Sequence, residues 1–202
     1  MGTNGEWLGP FTELLRQKSQ IDYVACGPLT NLAALIEHFE TIGDQSLKQR
    51  IRTVAIMGGS FDADRPVDFN FKADPDAARR VLSFFGPQVR LFPADETSKL
   101  RITETQVEAL KTTSPLAAFN KEVMLAYING WSPDRTVLLH DPSTLLAFEG
   151  DTRFIVEQIS VAADGKIIRD PQGTSIKRFS ISPGLEQKTA HHILSRYMGL
   201  RS

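Results

Sequence analysis

His140 and Asp141 place a histidine beside a carboxylate, directly after an apolar run and directly before Pro142. Histidine changes its charge near neutral pH and is therefore a common proton donor or acceptor in catalysis. The same arrangement also fits the start of a helix, because aspartate is a favoured N-cap and proline suits the first helical turn. The pair is thus either a reactive site or a capped helix, and the rest of the chain decides between the two.

Small or polar residues follow three other short apolar runs, at Cys26-Gly27, Met57-Gly58-Gly59 and Asp95-Glu96-Thr97. In open α/β sheets, ligands bind beyond the carboxyl ends of the strands, where loops from several strands converge. We therefore expect these residues and the His140-Asp141 pair to face one cleft. Each group also has a simpler interpretation by itself, because glycine pairs form tight turns and acidic residues cap helices.

Short apolar runs alternate with helical patterns over the first two thirds of the chain. Residues 21–26, 51–57 and 88–93 have the pattern of strands, and helical apolar stripes follow the first two. Asp74-Pro75-Asp76 has the composition of a helix start and is assigned no chemistry. This alternation predicts parallel strands joined by helical crossovers, and hence an α/β protein with a mixed, mostly parallel sheet.

The last third of the sequence predicts a different arrangement. Residues 154–162 and 166–169 flank Ala163-Asp164-Gly165, which is typical of an antiparallel hairpin. Residues 179–182 are expected to add a third strand at the edge, and residues 185–198 a closing helix. Because the composition does not change here, we expect a single domain over residues 1–202.

Composition limits the possible partners. The 23 basic and 24 acidic residues nearly cancel, so no long-range field attracts the chain to nucleic acid or to an anionic membrane. Cys26 is the one cysteine, which excludes an internal disulfide and a cysteine-based metal cluster. The sequence has neither a signal-like N-terminus nor a membrane-length apolar run. We therefore expect a cytoplasmic protein with a small-molecule ligand.

Four motifs occur in the order found in the inosine-uridine preferring nucleoside hydrolases, which this sequence resembles from about residue 21 to its C-terminus. They are Cys26-Gly27-Pro28-Leu29-Thr30-Asn31-Leu32-Ala33, Ile56-Met57-Gly58-Gly59, Asp68-Phe69-Asn70 followed by Asp74-Pro75-Asp76-Ala77-Ala78, and His140-Asp141-Pro142. The resemblance implies a mostly parallel α/β fold, hydrolysis of the N-glycosidic bond of ribonucleosides with a calcium ion, and a homo-oligomer.

The resemblance also implies roles for individual residues. Asp141 would be a calcium ligand, and Cys26 would contribute its backbone carbonyl to the same ion. His140 would be the general acid that protonates the leaving base. Asp68 and Asn70 would hydrogen-bond the ribose hydroxyls, and Met57 would lie against the sugar.

The sequence departs from the family pattern at three places. Asp68 stands where the family usually has glutamate, and the loop over residues 59–68 lacks the usual Gly-Asn. The family also begins with a strand that ends in Asp-x-Asp-x-x-x-Asp-Asp and supplies most calcium ligands, and nothing before Ile21 matches it. Asp62, Asp64 and Asp68 reproduce part of this spacing, which we interpret as coincidence because Phe69 follows them.

Without that strand, the domain is expected to be incomplete on its N-terminal side. Calcium prefers six to eight oxygens and would be poorly held by Asp141 and one carbonyl. The sheet should expose an apolar edge and face, covered by another chain or by more of a longer polypeptide. The alternative to an enzyme is a degenerate family member that binds a nucleoside or a partner without metal.

Overall fold

The computed structural model describes residues 5–64, 66–150 and 153–201. The strands in chain order are β1 (Ile21–Ala25), β2 (Ile51–Met57), β3 (Val89–Phe92), β4 (Arg101–Thr103), β5 (Lys111–Thr112), β6 (Thr136–Leu138), β7 (Phe154–Val161), β8 (Ile167–Arg169), β9 (Thr174–Phe179) and β10 (Leu200–Arg201). The α-helices are α1 (Leu8–Gln17), α2 (Thr30–Thr41), α3 (Phe69–Ala73), α4 (Pro75–Phe85), α5 (Ala94–Thr97), α6 (Glu104–Ala109), α7 (Pro115–Trp131), α8 (His140–Ser143) and α9 (Glu186–Tyr197).

The chain divides into two compact units, Met1–Ala94 with Phe154–Phe179 and Asp95–Arg153 with Ser180–Ser202. The first unit contains a six-stranded sheet in the order β1-β2-β3-β9-β7-β8. Neighbours are parallel from β1 to β9 and antiparallel from β9 to β8. The predicted mixed, mostly parallel sheet with an antiparallel hairpin is confirmed. The single domain over residues 1–202 stays a prediction.

The core of the first unit lies between β2 and the apolar faces of α2 and α4. β2 is buried at nearly every position, as expected for a parallel strand covered on both faces. The helix residues that fill the core are Leu32, Leu35, Ile36 and Phe39 of α2 and Ala78, Val81, Leu82 and Phe85 of α4. The carboxylate of Asp74 accepts from the Ala77 backbone N–H at 3.0 Å, which confirms the predicted helix cap.

One predicted strand is wrong. Residues 179–182 do not form an edge strand; β9 ends at Phe179 and lies between β3 and β7 in the interior of the sheet. This strand was not predicted because it contains two charged residues, Lys177 and Arg178, which are unusual in a central strand. Arg178 is buried in β9 because its guanidinium donates to the Glu157 carboxylate on β7 at 3.0 and 3.1 Å. A cross-strand ion pair thus allows a charged segment to occupy a central position.

The second unit has two short antiparallel ladders, β4 with β6 and β5 with β10. Its described core is made of apolar residues from α6, α7 and α9 and the strands between them, including Ile102, Val107, Met124, Ile128, Leu139, Ile193 and Leu194. Across the described parts of both units, no helix is long and apolar enough to cross a membrane.

β1 and β8 are the edge strands of the six-stranded sheet, and the open edge expected from an incomplete domain stays a prediction. Val24 is the large apolar residue exposed on β1, and its exposed fraction is 39%. The largest group of exposed apolar side chains lies elsewhere, on α7 of the second unit.

Candidate active site

Three of the residues assigned to the sugar come together after β2. Asn70 is buried, and its side-chain nitrogen donates to the Met57 carbonyl at 3.1 Å and lies 3.7 Å from the Met57 sulfur. Asp68 precedes Asn70 as the N-cap of α3. The structure thus brings Met57, Asp68 and Asn70 together, and their substrate-binding roles stay predictions.

One oxygen of Asp68 organises this region. Its Oδ1 accepts backbone N–H groups from Gly59 at 2.9 Å, Asn70 at 3.0 Å and Phe71 at 3.2 Å. Gly59 has φ +72°, a conformation that glycine adopts without strain. The carboxylate therefore clamps the glycine turn to the start of α3, a structural role that the sequence did not predict.

Cys26 follows β1 directly and is exposed. Ala25 pairs with Ile56 in the parallel ladder, so Cys26 and Met57 are the next residues along neighbouring strands. This places the backbone of Cys26 at the carboxyl edge of the sheet, as the sequence predicted. Its role as a carbonyl ligand stays a prediction.

A cavity of about 520 Å³ lies between the loop after β2 and the β7–β8 hairpin. Asp68 is in its wall, whereas Met57 and Asn70 are not among its lining residues. Phe61, also in the wall, lies under the guanidinium groups of Arg169 and Arg178, whose central carbons are 5.1 and 4.8 Å from the ring centroid. The cavity thus shares only Asp68 with the predicted ribose site.

His140 and Asp141 lie in the second unit, at the start of α8. The preceding strand, β6, pairs antiparallel with β4 in a separate two-stranded sheet. The strand before this pair is therefore not part of the parallel sheet, contrary to what the sequence suggested, and the shared cleft stays a prediction. The alternative interpretation of Asp141 as an N-cap is also wrong, since Leu139 is the N-cap and Asp141 lies in the first turn.

A buried threonine orients the His140 ring. Thr97 is fully buried at the end of α5, and its hydroxyl oxygen is 2.7 Å from His140 Nδ1. The sequence singled out Asp95-Glu96-Thr97 as a strand-end group but gave Thr97 no role. The contact between Thr97 and His140 could not be predicted from a local pattern, because 43 residues separate them in the sequence. Neighbouring Glu96 is also buried and accepts the Ile181 backbone N–H at 2.9 Å.

Asp141 is an exposed residue, and its carboxylate has no protein partner among the described residues. Burial raises the pKa of its carboxyl group above the ordinary value. Its backbone carbonyl accepts from the Thr144 hydroxyl at 2.6 Å, so the hydrogen bond made at this residue uses the main chain. A desolvated carboxylate with no compensating contact is typical of a functional site.

The donor set on this chain does not fit a calcium ion by itself. Calcium takes six to eight oxygen ligands, mostly carboxylates and carbonyls. Over residues 5–64, 66–150 and 153–201, no three histidine, cysteine, aspartate or glutamate side chains are grouped so that they could hold a metal. The Asp141 carboxylate could coordinate a metal ion, but it does not belong to a group of three such side chains among the described residues.

The sequence model of the inosine-uridine preferring nucleoside hydrolases matches residues 7–193 of the chain. The chain belongs to this family. The chain is 33% identical over 100 residues to the non-specific ribonucleoside hydrolase RihC of Escherichia coli, an alignment that covers 48% of the chain and 31% of RihC. It is 30% identical over 123 residues to an uncharacterized protein of Schizosaccharomyces pombe, with 58% and 36% covered.

A solved plant nucleoside hydrolase, PpNRh1, superimposes on this chain with a TM-score of 0.76 at 19% identity. The match covers 95% of the chain and 66% of PpNRh1. At this identity the likeness establishes the fold. The family suggested by the four motifs is thus confirmed. The chain spans about a third of the length of the curated relatives it matches.

Proposed function

We propose that this protein hydrolyses the N-glycosidic bond of a ribonucleoside and releases ribose and the free base. Membership of the nucleoside hydrolase family supports this proposal. The observation that carries it is the Asp141 carboxylate beside His140, which has no partner among the described side chains and whose pKa is raised by desolvation. Folding gains nothing from such a group, so we infer that it serves the reaction.

His140 is the general acid in this proposal. In its protonated form, His140 donates its Nδ1–H to the Thr97 hydroxyl oxygen and presents its Nε2–H to the base, so that proton transfer leaves a neutral imidazole. When the C–N bond breaks, its electron pair goes to the base, and Nε2–H protonates the base as it leaves. The oxygen of a water molecule then bonds to the anomeric carbon and releases a proton to bulk water, from which His140 regains the proton that it gave to the base. Thr97 is a positioning residue, because it acts through the ring of His140.

The ribose hydroxyls are assigned to Asp68 and Asn70. Asn70 uses its side-chain nitrogen on the Met57 carbonyl, so its side-chain oxygen remains to accept from a hydroxyl group. Asp68 uses Oδ1 on the backbone, so Oδ2 remains for the same purpose. Met57 is assigned to the face of the sugar. We further propose, from the resemblance, a cytoplasmic homo-oligomer that acts on nucleosides.

Calcium is expected from the resemblance. The bond cleavage and proton transfers of the proposed reaction use only side chains of this chain and water. A second candidate function is nucleoside binding without catalysis. It is favoured by the finding that the described residues contain no group of three potential metal ligands. Isothermal titration calorimetry separates the two candidates. Uptake of calcium at millimolar concentration supports the enzyme, whereas inosine binding without any calcium uptake supports the binding protein.

The activity itself is tested by hydrolysis of inosine and uridine with added calcium. Asp141→Ala and His140→Ala are each expected to lower kcat by at least about a hundredfold, the usual contribution of a general acid or an essential electrostatic group. Glu108→Gln is the matched control, since Glu108 is an exposed carboxylate in the same unit. Equal rates for wild type and Asp141→Ala would refute the assignment.

A further inference from the structure

Glu96 is a buried carboxylate that the proposed reaction does not use. Only 7% of this residue is exposed, and its Oε2 accepts the Ile181 backbone N–H at 2.9 Å. Its Oε1 lies 2.9 Å from the Lys99 ammonium group. Burying a carboxylate destabilises a fold unless its oxygens are hydrogen-bonded or paired. Because both oxygens of Glu96 have such contacts, the side chain is fixed in one orientation.

The Ile181 N–H needs this acceptor because its segment forms no strand. β9 ends at Phe179, and residues 180–182 belong to no ladder. Ile181 is only 4% exposed, so its N–H is shielded from bulk water. A carboxylate accepts a hydrogen bond more strongly than a neutral oxygen does. The contact spans 85 residues of sequence and fixes Glu96 to the chain that follows β9.

The helix that carries Glu96 is too short to keep its own position. α5 has four residues, and so short a helix is unstable without tertiary contacts. Glu96 attaches one side of α5 to Ile181. Thr97, about 100° further round the helix, has its hydroxyl oxygen 2.7 Å from His140 Nδ1. α5 therefore connects the Ile181 backbone to the imidazole ring of His140.

Backbone pairing brings the two segments together but does not set the direction of the Thr97 side chain. The Leu139 N–H donates to the Leu100 carbonyl at 2.9 Å, next to the end of the β4–β6 ladder. Thr97 and His140 thus lie beyond the same end of this ladder. Whether the Thr97 hydroxyl points at the ring depends on the rotation of α5 about its axis. The contact between Glu96 and Ile181 fixes that rotation.

We propose that Glu96 is a positioning residue for His140, which it orients through α5 and the Thr97 hydroxyl. While α5 is held, the Thr97 oxygen stays at Nδ1 and the Nε2 side of the ring is kept for the leaving base. Without Glu96, α5 turns, and His140 loses the contact that fixes its ring orientation and its tautomer. The inference rests on the proposed function, in which His140 is the general acid.

Long-range ¹H–¹⁵N NMR of the histidine-labelled full chain, without substrate, tests the proposal. It measures which ring nitrogen of neutral His140 carries the hydrogen, and His140→Gln identifies the signals among the four histidines. Glu96→Ala should change this tautomer ratio by at least about threefold, in the same direction as Thr97→Val. In the Thr97→Val background, Glu96→Ala should add no further change, because its effect passes through Thr97.

Two variants separate positioning from stability. Glu96→Gln keeps a side-chain oxygen at the same reach from the Ile181 N–H and should retain the wild-type tautomer ratio. Thr189→Val is the matched control, because Thr189 is a buried polar residue of the same unit whose hydroxyl accepts from Arg153 at 3.2 Å. It should lower Tm and leave the ratio unchanged. In the hydrolysis assay, Glu96→Ala should lower kcat by about ten- to a hundredfold and change KM by less than about threefold.

Glu96→Asp replaces Glu96→Ala if the alanine variant fails to fold. It keeps the charge but is one methylene shorter, so the same change in tautomer ratio is expected. A folded variant with an unchanged ratio would overturn the proposal, and so would an equal change in the Thr97→Val background or in Thr189→Val. If the wild-type chain hydrolyses no nucleoside while the NMR results are as expected, the proposed function fails and the positioning of His140 by Glu96 stands.

Discussion

Replacing Asp68 by alanine removes the group that joins α3 to the turn after β2. Its Oδ1 accepts from Gly59, Asn70 and Phe71 at 2.9–3.2 Å. Loss of an N-cap costs about 0.5–2 kcal/mol. A hydrogen bond to a charged group contributes about 1.5–3 kcal/mol. Because the three bonds share one oxygen and are not additive, we expect Asp68→Ala to lower the free energy of unfolding by about 2–3 kcal/mol.

Equilibrium unfolding in urea, followed by far-UV circular dichroism, measures this change. Asp68→Asn keeps an acceptor oxygen in the same position and should lose less than about 1 kcal/mol. Asp64→Ala is the matched control in the same loop, where the side chain is exposed, and should lie within about 0.5 kcal/mol of wild type. If Asp68→Ala is no less stable than Asp64→Ala, the clamp does not hold the turn, and the assignment of its other oxygen to ribose loses its geometric basis.

Three further changes test other parts of the structure. Burial raises the pKa of the Asp141 carboxyl group, so ionisation of this group destabilises the fold as the pH rises through its raised pKa. Asp141→Asn should therefore raise Tm at neutral pH when a chelator is present. The gain in Tm should vanish below the ordinary carboxyl pKa, where Asp141 is protonated in both states. Gly165→Ala should lower Tm through a loss of about 1–3 kcal/mol, because φ is +92° and the new methyl group would lie 2.8 Å from the Phe71 carbonyl. Burial and the hydrogen bond to Glu149 raise the pKa of Tyr197 to about 12; Glu149→Gln should lower it in a spectrophotometric titration, and an unchanged value would contradict the second cause.

Local chemistry made much of the fold predictable. The hairpin signature at residues 163–165 is confirmed, because the Asp164 carboxylate accepts the Lys166 N–H at 3.0 Å and glycine supplies the positive φ at residue 165. The cap at Asp74 is confirmed in the same way. These features depend on partners within three residues, so the sequence contains all the participants side by side.

The middle of the sheet could not be predicted on that basis. β9 contains Lys177 and Arg178, which locally disfavour a central strand. Its place depends on Glu157, 21 residues earlier, and on the parallel partner β3, more than 80 residues earlier. A local pattern contains no information about which strand a segment will pair with.

The candidate site divides in the same way. By itself, the sequence determined the residue types and the motif order that identify the family, because these depend on composition and spacing alone. Tertiary structure decided that one oxygen of Asp68 accepts backbone N–H groups and that Thr97 orients His140. It also decided that the Asp141 carboxylate is desolvated without a partner among the described residues. Burial and the directions of hydrogen bonds arise only when distant segments pack together, and they decide which of the predicted residues are left to do chemistry.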